Sequence, residues 1–347
     1  MAKTEYQKIN LNDHLAEIIE IHFDPKGGTP FWLKKQEEIG LKVKKEINSV
    51  DDLYKLGFAD ENLLREKPTE YFVPKKVWKE ERSKILHCES SGTTGPRKYI
   101  PWHQDFSEYI IKWYNFNLDN YGVPLNENWI AAGPGGLFED HIKTVARSRG
   151  GFPFFFGIDP KHAKKSLEEG KFIENYTHLF EEMNALSKKE KIGVVVIVPQ
   201  LSEILPNYLN MNDLKAVLFG GVGFHGEPEE YRKGLKSYRK FKEIFKGKIT
   251  GGWYGNAFWG PAFHLSDESD NLNYYPPYPY TVFEVINPKN PEEKVKYEKR
   301  GRVKFHRLTK EFFWPNALER DAANRIRPKY PFNWDGVQNV GPIYSLQ

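Results

Sequence analysis

The sequence predicts an α/β protein in which helices cover layered parallel sheets and a small antiparallel β region lies near the C-terminus. Three apolar runs carry this prediction: IGVVVIV at 192–198, KAVLFG at 215–220 and KITGGWYG at 248–255. Continuously apolar runs indicate strands that are buried on both faces, as in a parallel sheet. Helical patterns separate the runs, which is typical of layered α/β folds. The segments TVFEVI (281–286) and GRVKFHRL (301–308) alternate instead, which predicts antiparallel strands.

Helical patterns fill the first 80 residues and recur between the predicted strands. Apolar residues at spacings near 3.6 predict helices over 13–23 and 32–47. The segment SVDD at 49–52, just before Leu53, resembles a capping box. A further helix is predicted over 228–245, between the second and third apolar runs. The charged segment 292–300 is predicted to be an exposed turn.

These patterns divide the chain into three parts. We expect a helical lead-in over residues 1–80 that packs on the rest, and an α/β body over 81–266. A mostly antiparallel region and a C-terminal tail follow over 267–347.

Composition excludes several classes of protein. The 347 residues are 39% hydrophobic and 28% charged, which is ordinary for a globular chain. The net charge of +4 is small and mixed, so we expect no nucleic-acid partner. The single cysteine, Cys88, excludes an internal disulfide and fits a reducing compartment. The start lacks a signal-peptide pattern and no apolar run is long enough to cross a membrane, so we expect a cytoplasmic protein.

One loop has the residue types of a phosphate-binding site. It reads SSGTTG at 90–95 with Lys98 close behind, between a predicted strand and an amphipathic helix. Glycines let backbone N–H groups point at an anion, hydroxyls add donors and lysine adds charge. The loop is not the G-x-x-x-x-G-K-[ST] type, because that motif needs glycine where Arg97 stands. A phosphate loop of another kind is the better interpretation, and an ordinary surface turn is the alternative.

A second glycine-rich segment matches a dinucleotide motif. Residues 221–226, GVGFHG, fit G-x-G-x-x-G and lie between a predicted strand and helix. That motif also needs an acidic residue at the end of the next strand, where this chain has TGGW at 250–253. A nicotinamide- or flavin-dependent oxidoreductase is therefore the less favoured alternative, and a tight strand-to-helix turn is preferred.

Four segments together resemble the adenylate-forming superfamily of acyl-CoA synthetases and ligases. SSGTTGPRK resembles its phosphate loop, VLFGGVG its adenine-binding turn and WYGNAF (253–258) its Y-G-x-T-E segment. GRVKFHRLTKEFFWPNALERDA (301–322) resembles the strands that end in its ribose-binding aspartate. The order and spacing agree over about residues 30–325. The lead-in resembles that of the phenylacetate–CoA ligase branch, and the chain resembles the acyl-protein synthetases in length.

The resemblance implies an enzyme that uses ATP and magnesium to convert a carboxylic acid into an acyl-adenylate and pyrophosphate. Transfer of the acyl group to a thiol, with coenzyme A as the acceptor, is a further implied step. Lys98 would be the catalytic cation. The residues implied to hold ATP or AMP are Ser90, Ser91, Gly92, Thr93, Thr94, Gly95, Gly220, Gly221, Val222, Tyr254, Gly255 and Asp321. Tyr254 would stack on adenine, and Asp321 would accept hydrogen bonds from the ribose hydroxyls.

The chain also departs from the family pattern. Pro96 comes one position early, but Lys98 keeps its place. Ala257 and Phe258 stand where the family has threonine and glutamate, which contact the α-phosphate and help to hold magnesium. Because 26 residues follow Asp321, we expect the mobile C-terminal domain to be absent, and a partner chain could supply it. A nucleotide-binding protein with impaired catalysis is therefore the main alternative.

Several further residues are candidates for the acid pocket. The aromatic density around the expected pocket indicates an aromatic or otherwise apolar acid, although the same rings could form the core. The candidates are His141, Phe224, Trp253 and Phe258. No Cys/His pattern with zinc spacing is present, and the metal ligands are unknown. Asp267, Glu268 or His264 could replace the missing carboxylate, and Cys88 is a weak candidate for an acyl acceptor.

Overall fold

The computed structural model describes residues 9–92, 95–220, 224, 226–265 and 269–346. Its helices are α1 (Leu11–His22), α2 (Pro30–Ile39), α3 (Val43–Glu46), α4 (Leu63–Glu66), α5 (Lys75–Glu81), α6 (Gln104–Tyr121), α7 (Leu137–Ser148), α8 (Pro160–Glu168), α9 (Phe172–Lys189), α10 (Glu230–Lys233) and α11 (Lys236–Ile244). Its strands are β1 (Ile85–Glu89), β2 (Tyr99–His103), β3 (Asn128–Gly133), β4 (Pro153–Gly157), β5 (Ile192–Ile197), β6 (Ala216–Gly220), β7 (Ile249–Asn256), β8 (Gly260–His264), β9 (Asn273–Tyr275), β10 (Thr281–Asn287), β11 (Asn290–Lys294), β12 (Arg300–Leu308), β13 (Phe313–Ile326) and β14 (Gly336–Pro342).

Twelve of the described strands form one mixed sheet. Their order is β11-β10-β12-β13-β14-β9-β8-β7-β6-β5-β3-β4. The strands from β4 to β7 along this order are parallel, and those from β7 to β11 are antiparallel. We call these two parts the parallel half and the antiparallel half. The strands β1 and β2 form a separate antiparallel hairpin.

Strand β7 is the point at which the direction of pairing changes. On one side it runs parallel to β6, with Gly220 opposite Trp253. On the other side it runs antiparallel to β8, with Tyr254 opposite Ala262. Strand β7 is therefore the strand at which the parallel half and the antiparallel half of the sheet meet.

The N-terminal helices are tied to the antiparallel half by buried hydrogen bonds. The indole Nε1 of Trp32 donates to the Phe313 carbonyl at 2.7 Å. The amide of Asn316 donates to the Leu53 carbonyl at 2.6 Å and to the Gly57 carbonyl at 2.9 Å. These long-range bonds hold the lead-in at the start of β13, the strand that also carries Asp321.

The α/β class predicted from the sequence is confirmed, with differences in its parts. The three apolar runs form β5, β6 and β7. The antiparallel part is larger than expected and shares one sheet with the parallel strands, so that β8 and β9 pair across the 266/267 boundary. The three-part division itself stays a prediction.

Three local predictions were wrong. The helix expected over 32–47 ends at Ile39, because Gly40 adopts a left-handed φ of +66° and caps it. The helix expected over 228–245 is broken into α10 and α11 at Gly234. The charged turn expected over 292–300 begins as the edge strand β11. The predicted capping box at Ser49 is confirmed, at the start of a 3₁₀ helix over Val50–Leu56.

Within the described ranges, no helix combines the length and apolar character that crossing a membrane requires.

Candidate functional site

The glycine-rich loop closes the β1–β2 hairpin. The Ser90 backbone N–H donates to the Lys98 carbonyl at 3.0 Å, and the Lys98 N–H donates to the Ser90 hydroxyl at 2.8 Å. These two bonds fix both ends of the loop at its neck. Gly92 and Gly95 have φ values of +66° and +145°, which favour glycine over residues with a Cβ. Thr93 and Thr94, at the tip, lie outside the described residues.

The loop carries two cations. The Lys98 ammonium forms an ion pair with Glu61 and lies 5.2 Å from the centre of the Phe258 ring. Arg97 forms an ion pair with Glu89 and a second one with Asp159 at 2.6 Å. The ammonium of Lys98 thus reaches the turn after β7, which comes from a distant part of the sequence.

A tyrosine–aspartate pair connects the end of β7 with β13. The Tyr254 hydroxyl donates to the Asp321 carboxylate at 2.9 Å. Burial raises the pKa of Asp321, and the bond from Tyr254 and the charges of Arg320 and Arg300 only partly offset this effect. The Tyr254 ring is 2% exposed and packs against Trp259. In this arrangement the Tyr254 hydroxyl contacts the Asp321 carboxylate, and the stacking of Tyr254 on adenine stays a prediction.

A second carboxylate lies two residues before Asp321 on the same strand. One oxygen of Glu319 accepts from the Asn256 amide at 2.6 Å and from the Trp259 indole at 3.0 Å. Burial and the neighbouring charge of Asp321 raise the pKa of Glu319, and the charge of Glu61 adds to this effect. Glu319 is therefore fixed against the turn after β7 and lies within electrostatic reach of the acid that pairs with Lys98.

Buried side chains donate hydrogen bonds to the backbone carbonyls of the turn after β7. The Trp102 indole donates to the Ala257 carbonyl at 2.8 Å, and the Arg307 guanidinium donates to the Phe258 carbonyl at 2.5 Å. Gly255 is required here, because a Cβ would lie 2.5 Å from the Gly260 carbonyl oxygen. Ala257 and Phe258 are the residues that differ from the family pattern, and these contacts fix their backbone carbonyls.

The predicted adenine turn is described only in part. Gly220 ends β6, and a Cβ there would lie 3.1 Å from the indole nitrogen of Trp253, so glycine allows the indole to pack closely. Gly221 and Val222 lie outside the described residues. The same holds for much of the G-x-G-x-x-G segment, so the dinucleotide alternative stays untested.

The four pocket candidates are all buried, and each packs against core groups. His141 lies within 2.7 Å of the Ser107 hydroxyl, and burial lowers the pKa of its imidazole to about 4. The rings of Phe224, Trp253 and Phe258 pack on neighbours that include Phe219, Tyr114 and Phe305, respectively. The core therefore accounts for these rings, and an acid pocket formed by them stays a prediction.

Two other candidates have structural explanations. Burial raises the pKa of the Cys88 thiol to about 12, so it carries little of the thiolate that an acyl acceptor needs. His264 lies 3.0 Å from the Tyr238 hydroxyl inside the core and does not replace the missing carboxylate. Asp267 and Glu268 lie outside the described residues.

Among the described residues, Glu81, His103 and Asp105 are close enough together to hold a metal ion. However, Nδ1 of His103 accepts the Asp105 backbone N–H at 3.0 Å, so neutral His103 carries its proton on Nε2 and offers no lone pair there. The Lys310 ammonium already bridges the two carboxylates, at 3.1 Å from Glu81 and 2.6 Å from Asp105. This cluster is a polar contact between chain segments.

Comparison with known proteins identifies the fold. No protein-family model matches the sequence, and no curated protein matches it. The structure is similar to 2-hydroxyisobutyryl-CoA ligase solved in complex with 2-HIB-AMP and CoA, with a TM-score of 0.67, 17% identity, and coverage of 96% of this chain and 67% of that one. The chain therefore has the α/β fold of the adenylate-forming ligases.

Other solved structures are more distant. An ATP-bound RpMatB–BxBclM chimera gives a TM-score of 0.46 and 14% identity over 75% of this chain and 48% of that one. The luciferase-like enzyme from the nonluminescent mealworm Zophobas morio gives 0.40 and 15% over 69% of this chain and 54% of that one.

Three residues at the site were missed by sequence reasoning. Glu319 could have been found, because side chains two apart on a strand share a face and Glu319 precedes Asp321 by two. Glu61 lies 37 residues before Lys98, in the lead-in segment whose resemblance to the family points to no pairing with the loop. Arg307 is one of several cations in an alternating strand. No local signal marks either of these contacts.

Proposed function

We propose that this protein binds ATP at the β1–β2 loop and the end of β7, and that it activates a carboxylic acid as an acyl-adenylate. The observation that supports this most is the convergence of separate segments on one turn. Lys98 lies against Phe258 of the turn after β7, and Tyr254, near the end of β7, binds Asp321. An ammonium suits the phosphates, and a fixed carboxylate suits the ribose hydroxyls.

The proposed roles follow from charge and geometry. Lys98 and the loop residues Ser90, Ser91, Gly92 and Gly95 hold the β- and γ-phosphates, together with Thr93 and Thr94. Asp321 accepts from the ribose hydroxyls and is oriented by Tyr254. Gly220, Gly221 and Val222 lie along the adenine.

The proposed reaction is an in-line displacement at the α-phosphorus. An oxygen of the substrate carboxylate forms a bond to that phosphorus as its bond to pyrophosphate breaks. The contribution of the protein is to position both groups and to neutralise charge, as in other phosphoryl-group chemistry. Magnesium would arrive with ATP. Glu319 is a suitable ligand for magnesium, because hard cations prefer carboxylate oxygens. The hydrogen bonds from Asn256 and Trp259 go to one of the two Glu319 oxygens.

The finer assignments belong to the same proposal. The acid is aromatic or otherwise apolar, as in the phenylacetate–CoA ligase-like branch, and a thiol such as that of coenzyme A is the acceptor. A partner chain that supplies groups for the thiol step is part of this proposal.

A second candidate is a nucleotide-binding protein that has lost turnover. The observation that favours it is the environment of the two departures. The Phe258 ring packs on Phe305, Phe312 and Trp314, and Ala257 contributes a buried methyl group. Neither side chain can donate to a phosphate or bind a metal ion.

ATP–pyrophosphate exchange against a panel of aryl and fatty acids separates the two candidates. We expect exchange that depends on an acid and is lost in Lys98→Ala and Asp321→Asn. A matched control is Lys242→Ala, because Lys242 also pairs with a carboxylate, Asp270 at 2.9 Å, and lies 5.0 Å from a ring centre. Absence of exchange with every acid, alongside measurable AMP binding, would establish the binding-protein alternative instead.

A further inference from the structure

The cations of the phosphate loop already have acidic partners. Lys98 pairs with Glu61, and Arg97 pairs with both Glu89 and Asp159. Glu89 belongs to the hairpin itself, whereas Glu61 comes from the segment before α4. A polyphosphate that approaches this loop therefore meets cations whose charge is compensated.

The segment that supplies Glu61 is tied to the loop a second time. Arg65 donates from Nε to the Pro96 carbonyl at 2.8 Å, and its NH1 group donates to the Asn62 side chain at 2.6 Å. Residues 61–65 thus contact the loop through one ion pair and one hydrogen bond. The hydrogen bond does not involve Lys98 and does not depend on the ion pair.

We propose that Glu61 is an internal counterion that occupies Lys98 in the empty protein and that the phosphates of ATP displace it. This inference rests on the proposed function, because it assigns the phosphates to Lys98. Arg65 remains on the Pro96 carbonyl during the exchange, so that Glu61 stays close to Lys98 and pairs with it again when the nucleotide leaves. The N-terminal lead-in thereby sets the affinity of the loop.

Burial and charge support an exchange of partners at Lys98. The Lys98 and Glu61 side chains are 14% and 31% exposed, so their pair is shielded more than a surface pair. A shielded ammonium needs a counterion, and Glu61 supplies it. A carboxylate that remained beside a triphosphate would repel it, so displacement relieves like-charge repulsion.

The test is a calorimetric titration of magnesium ATP and of AMP into the wild type and Glu61→Gln. We expect Glu61→Gln to bind magnesium ATP about three- to tenfold more tightly, because no carboxylate has to be displaced. AMP affinity is expected to be unchanged, because AMP lacks the β- and γ-phosphates. Glu66→Gln is the matched control, since Glu66 is an exposed acid of the same segment.

The outcomes separate this inference from the proposed function. Equal or weaker binding of magnesium ATP to Glu61→Gln, with clear binding to the wild type, would overturn the counterion role and leave the ATP site standing. Binding to Glu61→Gln alone would support the counterion role strongly. Binding of ATP to neither protein, both folded by circular dichroism, would overturn both proposals.

Discussion

The two halves of the sheet are held together by different chemistry. In the parallel half, the strands β5 and β6 are built from side chains such as Val195 and Leu218, which are fully buried and apolar. In the antiparallel half, β10 and β12 bury charges: Glu284 lies 2.5 Å from the Lys304 ammonium, and Arg307 lies 2.7 Å from Glu311. Most residues of both pairs of strands are buried, but they contribute differently to the fold.

This difference shows where the fold gains stability and where it gains precise geometry. Burying apolar surface is strongly favourable, whereas a buried ion pair often stabilises no more than a hydrophobic replacement. The Arg307–Glu311 pair does provide a fixed donor, because Arg307 holds the Phe258 carbonyl. The candidate site lies at the end of β7, where the apolar half meets the charged half.

The largest effect is expected from breaking the Arg307–Glu311 pair. Arg307→Met leaves the Glu311 carboxylate buried without its counterion, so we expect the free energy of unfolding to fall by about 3–5 kcal/mol. Urea denaturation followed by tryptophan fluorescence measures this change. The double variant Arg307→Met/Glu311→Leu should recover part of this loss and remain about 1–3 kcal/mol below the wild type, because the buried Phe258 carbonyl still lacks its donor. A double variant as unstable as the single one would contradict the idea that this pair adds little net stability.

Truncation in the parallel half should cost nearly as much but respond differently to pH. Leu218 is fully buried, with Val196 and Gly251 beside it in the sheet. Leu218→Ala is expected to lower the free energy of unfolding by about 3 kcal/mol through lost burial and a cavity. Because no titratable group is involved, the loss should be the same at pH 5 and pH 8. If the loss of unfolding free energy in Leu218→Ala differs between pH 5 and pH 8, the stabilities of the two halves are not independent.

Acid should act mainly on the antiparallel half, through Glu284. Burial alone would raise the pKa of Glu284. The contact with the His306 ring and the positive charges of Lys304 and Lys294 outweigh burial and hold this pKa well below its usual range. The stability that this carboxylate provides is therefore fully present above the ordinary carboxyl pKa and is lost as the pH falls through its lowered value. At pH 7 we expect Glu284→Gln to be about 2 kcal/mol less stable than the wild type.

The same variant tests the sign of the pH effect. The difference between Glu284→Gln and the wild type should shrink as urea denaturation is repeated at decreasing pH below about 4. Parallel stability profiles for the two proteins down to the acid transition would show that Glu284 is not the group that links charge to folding.

The smallest effect is expected at the boundary between the halves. Tyr254→Phe removes the hydroxyl that donates to Asp321, so we expect a loss of about 1 kcal/mol in unfolding free energy. The bond from Tyr254 lowers the pKa of Asp321, so that pKa should rise further in the variant. The carboxyl ¹³C shift of Asp321, followed during a pH titration, measures the change. An unaltered titration would mean that the hydroxyl does not orient the carboxylate.

The sequence revealed the parallel half more clearly than the antiparallel half for a physical reason. Strands buried on both faces by apolar contacts read as continuous runs, as β5 and β6 do. Strand β14, with the sequence GVQNVGP, lies between β13 and β9 and buries polar residues such as Asn339. Its stabilising partners come from other strands, so its own sequence shows little pattern.

The candidate site was predictable to the same limited extent. The residues of the glycine loop, Lys98 and Asp321 stand out because their types and order carry the chemistry. The contacts of Glu61 with Lys98 and of Arg307 with Phe258 join segments 37 and 49 residues apart, and they depend on the finished fold. Such long-range contacts can be identified only from the folded structure.

Amide hydrogen exchange with and without magnesium ATP tests most directly whether a nucleotide binds where the two halves of the sheet meet. We expect slower exchange in the loop over 89–99, in the turn over 253–260 and in β13 around Asp321, with no change in β3 and β4. Lys98→Ala should abolish the protection of the loop. Protection confined to 220–233, or no protection under conditions in which ATP is seen to bind, would contradict this placement of the site.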